Sequence, residues 1–217
     1  MLYVTKLHKK SQIQDILPVI NNINRLIKMK RILLITLLSA LPIYSASAET
    51  TTKQRVVESK KVVKEFMGQL KGELQSSMKA GGPISAISVC KDRAPAIAEE
   101  LSNKYGWTVG RTSLKLRNPQ NAADVWETKV LNNFETRKNA GEKVKPMAHF
   151  EEVTENGNAS FRFMKAIPMG KPCLVCHGDN ISAEVSSKLK EAYPNDKATG
   201  FKMGDIRGAF SISQPIK

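Results

Sequence analysis

The sequence predicts an α+β fold, with helices gathered ahead of an antiparallel sheet and a further helix inserted among the strands. Three observations carry this. Apolar residues recur at helical spacing from residue 53 to residue 105, an Asn-Gly pair separates two strand-like runs at Asn156-Gly157, and the terminal "RGAFSISQPI" alternates small and apolar side chains.

The first helix spans residues 53 to 80. Val56, Val63, Phe66, Leu70, Leu74 and Met78 fall on one stripe with Lys and Glu between them, the pattern of an amphipathic helix. Gly81-Gly82-Pro83 stops it. A second helix carries Ile87, Cys90, Ala94, Ile97 and Leu101 on its apolar face and ends at Tyr105-Gly106. Pro95 lies inside that helix. It has no N–H for the carbonyl of Lys91 and its ring crowds that carbonyl, so either the helix kinks just after Cys90 or Pro95 opens a new short helix. "WTVGRTSLKLRNP" reads as a strand followed by a turn. Residues 122 to 140 are again helical, with Trp126, Val130, Leu131 and Phe134 inward and Gly141 where a C-cap belongs. "HFEEVTENGNASFRFMKAI" is a hairpin turning on Asn156-Gly157. The terminal run adds the last strand.

Ahead of these elements, "MKRILLITLLSALPIYSASAET" has a basic start at Lys30 and Arg31, an apolar run from Ile32 to Tyr44, and the small residues Ala46-Ser47-Ala48. That order is a secretory signal peptide cut after Ala48. The apolar run contains a Pro and falls short of the roughly 20 residues a spanning helix needs. Residues 1 to 48 are therefore expected to be removed, with Met29 the true start, leaving residues 49 to 217 as one periplasmic domain without a stable membrane anchor.

The full chain has 34 basic and 20 acidic residues, a net of +14. The leader holds seven of the basic residues and one acidic residue, so the exported part keeps 27 against 19, a net of +8. Export argues against nucleic acid as the partner. A basic surface outside the cytoplasm suits an acidic protein partner or anionic lipid headgroups, or is simply well solvated.

Chemistry concentrates in "CLVCHG", Cys173 to Gly178. In a Cys-x-x-Cys-His motif both thiols can form thioethers to the vinyl groups of one haem, and the adjacent imidazole can ligate its iron. A dithiol redox site does not need the histidine and lacks the surrounding strand-helix pattern. A closed zinc site needs four ligands, with Cys90 or His149 as the fourth. One motif and an exported chain point to one covalent haem c, with Cys173 and Cys176 as anchors and His177 as proximal iron ligand. The opposite face of the iron is open to Cys90, His149, Met147, Met164, Met169 or Met203, or to no protein ligand. Cys90 lies on an inward stripe, where a cysteine is often only a small hydrophobe.

Four segments in order resemble a family of single-haem c-type proteins, known as a domain of unknown function and found alone or as the sensing end of histidine kinases. They are "AISVCKDRAPAIA", "GRTSLKLRNPQN" followed by "VWE", "FRFMKAI" leading into "CLVCHG", and "YPNDKATGFKMGDIRGAFSIS". The resemblance implies a PAS-like antiparallel sheet with N-terminal helices packed around the haem. It also implies axial ligation by His177 and, on the distal side, Cys90. Arg111, Arg117, Asn118, Asp205 and Arg207 lie in the shared segments, and the arginines are candidates to pair with haem propionates.

Three functions fit these expectations. The first is a periplasmic redox or small-gas sensor acting through a signalling or redox partner, since the chain shows no output module of its own. The second is a soluble electron-transfer cytochrome. The third, a peroxidase-like enzyme, conflicts with a cysteine occupying the face where peroxide must bind, so no catalytic residue is assigned.

Overall fold

Thr51 opens the first helix, its side-chain oxygen accepting from the backbone N–H of Gln54. In the computed structural model, which describes residues 50–216, this helix is α1 (Thr52–Ser88). The predicted leader lies outside the described residues. Among those described, no helix is long and apolar enough to cross a membrane. The expected stop at Gly81-Gly82-Pro83 is a break inside α1. Gly81 leaves helical angles and Gly82 takes φ +68°, ψ −163°, a conformation open to glycine and strained for other residues. Pro83 then restarts the helix, where its missing N–H costs nothing.

Beyond Ser88 the chain makes one π-helical turn, Val89–Arg93, before α2 (Ala94–Tyr105). The N–H of Ala94 bonds the carbonyl of Val89, one residue further back than in an α-helix. The expected kink at Pro95 therefore takes the form of a widened turn. It absorbs an extra residue where Pro95 cannot donate to the preceding turn. Gly106, in the left-handed region, closes α2.

After β1 (Thr108–Thr112) comes α3 (Val125–Asn139). Asp124 and Glu127 form a reciprocal capping box at its start. β2 (Ala148–Glu155) and β3 (Asn158–Pro168) follow as the expected hairpin, with Asn156 and Gly157 both at positive φ. This is the two-residue turn that matches strand twist. A short turn, Lys171–Cys173, leads into α4 (Leu174–His177), then α5 (Ala183–Ala192) and β4 (Ile206–Pro215). Helix α5 is an addition to the expected elements. Val185, Leu189 and Tyr193 repeat at four-residue spacing and are all buried.

The four strands form one antiparallel sheet in the order β1-β4-β3-β2. Side-chain alternation divides the core between its faces. Phe161, Phe163, Phe210 and Ile212 pack under Val62 and Phe66 of α1 and Ile97 and Leu101 of α2. Met164, Ala166 and Ala209 pack against Val130, Leu131 and Phe134 of α3. The protein is thus α+β, with helices on both sides of an antiparallel sheet. A third cluster joins α5 to the end of α1 through Ile87, Val185, Leu189 and Tyr193.

The β3–β4 register slips between Ile167 and Pro168, opposite Gly208. Gly208 has φ +152°, and a Cβ there would stand 2.2 Å from the carbonyl oxygen of Thr112. Only glycine lets β4 approach β1 this closely, and that approach brings Arg207 beside Ser113.

Candidate haem site

The motif histidine is fixed by its own backbone surroundings. Gly178 ends α4 with its N–H on the carbonyl of Leu174, and the loop from Ala198 folds back over the helix. Phe201 N–H bonds the carbonyl of His177 at 3.0 Å, and Gly200 N–H bonds that of Gly178 at 2.8 Å. Within this clasp His177 Nδ1 lies 2.7 Å from the carbonyl oxygen of Ala198. A carbonyl only accepts, so Nδ1 carries the proton and Nε2 presents its lone pair. Burial, with Arg207 and Arg117 nearby, pushes the imidazole pKa down to about 3. The ring is neutral, as an iron ligand must be. Phe201 stands edge-on to it, centroids 6.3 Å apart.

Arg117 ties the clasp together. It pairs with Asp196 at 2.8 Å and donates from Nη2 to the carbonyl of Cys176 at 2.6 Å and to that of Ala198 at 3.2 Å. Its Nη1 reaches Nε2 of His177 at 3.3 Å. The pair is buried, with side-chain exposures of 6% and 11%.

Cys90 enters from the π-helical turn. Burial raises its thiol pKa, while the charges of Arg111, Arg117 and Arg207 pull it back and Cys173 adds to the rise. Burial likewise raises Cys176, whose surroundings include Arg117, Cys90 and Cys173. All three cysteines are free and keep part of their surface open to solvent. Tyr193 stands near this group, and its pKa is pushed up to about 12 by burial and by the Cys90 charge.

Arg111 and Arg207 stand near Cys90 and His177 without a counter-charge. Burial depresses Arg111, and burial with Arg117 and Arg111 brings Arg207 down to about 10. Arg207 donates to Ser113 Oγ and the carbonyl of Lys115. Among the described residues, neither arginine meets a carboxylate within ion-pair distance. Enclosed guanidinium groups of this kind call for an anion.

The structure therefore brings Cys90, Cys173, Cys176, His177, Arg111 and Arg207 together, and sorts the other candidates. Met147 and Met164 are wholly buried against α3. His149 stacks near Trp126 and lies 3.6 Å from Glu151, on β2. Met203 is exposed. Met169 packs beside Cys173 and Leu174 with Ala198 and Phe201. Asn118 caps a turn by accepting from the N–H of Gln120, and Asp205 pairs with Lys138. Among the described residues no three His, Cys, Asp or Glu side chains gather closely enough to hold a metal ion by themselves. Sequence reasoning assigned no role to Tyr193, Asp196 or Phe201. They lie within the last shared segment, but nothing in their spacing marks them out, and the Ala198 carbonyl carries no side-chain signal at all.

A family model described as Tll0287-like matches residues 47–215. The chain belongs to the Tll0287-like family. Among solved structures it is similar to the "cyanobacterial heme-protein Tll0287", with a TM-score of 0.59 and 22% identity. The match covers 76% of this chain and 97% of that one. No curated protein matches. The structural likeness extends over almost the whole of the cyanobacterial protein and shows that the two share a fold.

Proposed function

We propose that this Tll0287-like protein is a periplasmic, single-haem c-type protein that senses redox state or a small gas and acts through a partner protein. The observation that carries the reading is that the motif histidine, its two thiols, Cys90 and two guanidiniums that lack carboxylates lie close enough to act on one another's charge. The similar cyanobacterial protein is a heme-protein, which points the same way. The residues fit the group: a lone pair for iron at His177 Nε2, two thiols for two vinyl groups, and two cations for two propionates. The resemblance to a PAS-like fold is supported by a sheet in which the last strand lies between the first strand and the hairpin.

Haem, when bound, would supply an iron that changes oxidation state and can take a diatomic ligand. Cys173 and Cys176 would add their thiols across the vinyl groups and so fix it covalently. His177 would give its Nε2 lone pair, which requires Arg117 Nη1 to yield its place. The bonds from Arg117 to Asp196, Cys176 and Ala198 would hold the clasp meanwhile. Cys90 would supply the distal sulfur, and Arg111 and Arg207 would pair with the propionates.

The sensing role rests on where Cys90 stands. A π-helical turn is one residue wider than its neighbours, so it can tighten locally when the sulfur is released. Arg93, the last residue of that turn, grips Glu73 of α1 with two bonds of 2.9 Å and reaches Glu100 of α2. A change at Cys90 is thus linked to the outer face of α1, a two-state element of the kind that sensing needs. A second reading, a soluble electron carrier, is favoured by Val175, which stands partly exposed between the two thiols and brings the motif close to the surface.

The test is covalent haem content, read by pyridine haemochrome and intact mass after export with the bacterial haem-attachment machinery. One haem per wild-type chain is expected, with none retained by a Cys173→Ser/Cys176→Ser variant. A wild-type chain without covalent haem would refute the reading.

A further inference from the structure

Three loops meet around the motif, and backbone bonds lace them together. Met169 N–H bonds the carbonyl of Asp205, and Gly204 N–H bonds that of Met169. Lys197 N–H bonds the carbonyl of Leu116 at 2.7 Å. Lys115 lies across the join, its Nζ on the carbonyl of Thr199 and 4.7 Å above the ring of Phe201. The face built in this way carries Lys115, Lys171, Lys197 and Lys202, all exposed. Among the described residues none of the four is in an ion pair, whereas the two carboxylates of the same loops are tied elsewhere. Asp196 is held by Arg117, and Asp205 by Lys138 and the N–H of Lys202. Asp179, exposed next to Gly178 and so beside Gly200, offsets one of these charges, and the balance of the four lysines stays positive.

Apolar side chains flank these lysines along the same loops, Leu114 next to Lys115, Met203 next to Lys202, and Val175 four residues after Lys171. Met203 is 62% exposed, Leu114 45%, and Val175, between the thiols, 37%. An apolar centre with a charged rim is the make-up of a transient protein interface. A membrane-surface site would instead call for large aromatic groups or a continuous amphipathic helix, and this face has neither.

We propose that this face, the loops of residues 113–117, 169–175 and 197–205, docks an acidic protein surface. The partner would meet the molecule over the motif itself, on the loop that holds His177. The inference builds on the haem reading, since it makes this face the exit for an electron or a signal, but the docking can be measured without it.

The probe is a flavodoxin, a small acidic protein, immobilised and titrated with the purified chain at low ionic strength. Two variants with equal charge change are compared. One carries Lys115→Glu, Lys171→Glu, Lys197→Glu and Lys202→Glu; the other carries Lys60→Glu, Lys61→Glu, Lys64→Glu and Lys71→Glu on the exposed side of α1. The proposal expects the first to bind at least about 10-fold more weakly than wild type and the second to stay within about 3-fold. Wild-type binding should fade as salt shortens the screening length. Equal weakening in both variants would show a net-charge effect only and overturn it. So would no wild-type binding, or loss of binding to phosphatidylserine vesicles in the first variant with flavodoxin binding intact. Pyridine haemochrome on the same samples reports separately whether the haem reading stands.

Discussion

His177 Nδ1 sits 2.7 Å from the carbonyl oxygen of Ala198, across a turn of chain that the same histidine's own carbonyl helps to close by accepting from Phe201. The imidazole and the loop over it are therefore one unit. The tautomer that leaves Nε2 free is set by main chain, which no side-chain substitution at residue 198 removes.

Arg117 is the side chain on which that unit depends. Arg117→Met leaves Asp196 buried without its partner and strips the donors from the carbonyls of Cys176 and Ala198. Losing one member of a buried pair costs about 3–5 kcal/mol. Urea unfolding of the haem-free chain should show a loss of that order. Haem content should fall as well, because the clasp no longer positions the ring.

Arg111 should behave in the opposite way before haem is bound. Its guanidinium is enclosed beside Phe66 at 5.7 Å, and burial alone disfavours its charge. Arg111→Met removes a costly cation, so the haem-free protein should gain roughly 1 kcal/mol, as substitutions that relieve functional strain do. The haem-loaded variant should lack one propionate partner, so loading should raise its thermal midpoint over its own haem-free form by less than it does in wild type. Calorimetry of both forms reads the two signs.

Gly208→Ala tests the close passage of β4 past β1. The new methyl would stand 2.2 Å from the Thr112 carbonyl oxygen, at a φ of +152° that alanine resists. Strain of this kind places the substitution among the severe ones, at least about 3 kcal/mol in urea unfolding.

Asp124 gives a pH dependence of definite sign. Burial works against its charge, but hydrogen bonds from Arg162 and from the N–H of Glu127 outweigh it, and its pKa falls below the ordinary 3.8. A depressed carboxylate contributes stability that is complete above the unfolded pKa and is lost as pH falls through the folded one. Asp124→Asn keeps an N-cap oxygen but loses the ion pair with Arg162. Wild type should be the more stable at neutral pH. Its advantage should fade as pH falls below 3.8 and through the depressed folded pKa in paired urea titrations.

Much of the fold was legible because local rules were obeyed. Asn156-Gly157 named its hairpin, Gly81-Gly82-Pro83 its break, and Trp126, Val130 and Phe134 the buried side of α3. Helix α5 was harder to see, since Val185, Leu189 and Tyr193 are few and their partner Ile87 lies far away in the chain. At the site, the grouping of Cys173, Cys176 and His177 is local to one motif and plain from their spacing. That Cys90 comes to face them was not, because it depends on how α1, the π-helical turn and α5 pack. The division among the arginines was likewise hidden. Arg117 differs from Arg111 and Arg207 through Asp196, a partner 79 residues away, and through the carbonyls of Cys176 and Ala198, which are also distant along the chain.

Everything proposed for the site turns on Cys90 and His177 facing one haem iron. The most direct test is a comparison of optical and EPR spectra of the haem-loaded wild type and Cys90→Ala, in ferric and ferrous states. A low-spin ferric wild type with thiolate character is expected, which Cys90→Ala converts to a different coordination state. Identical spectra for the two proteins in both oxidation states would contradict it.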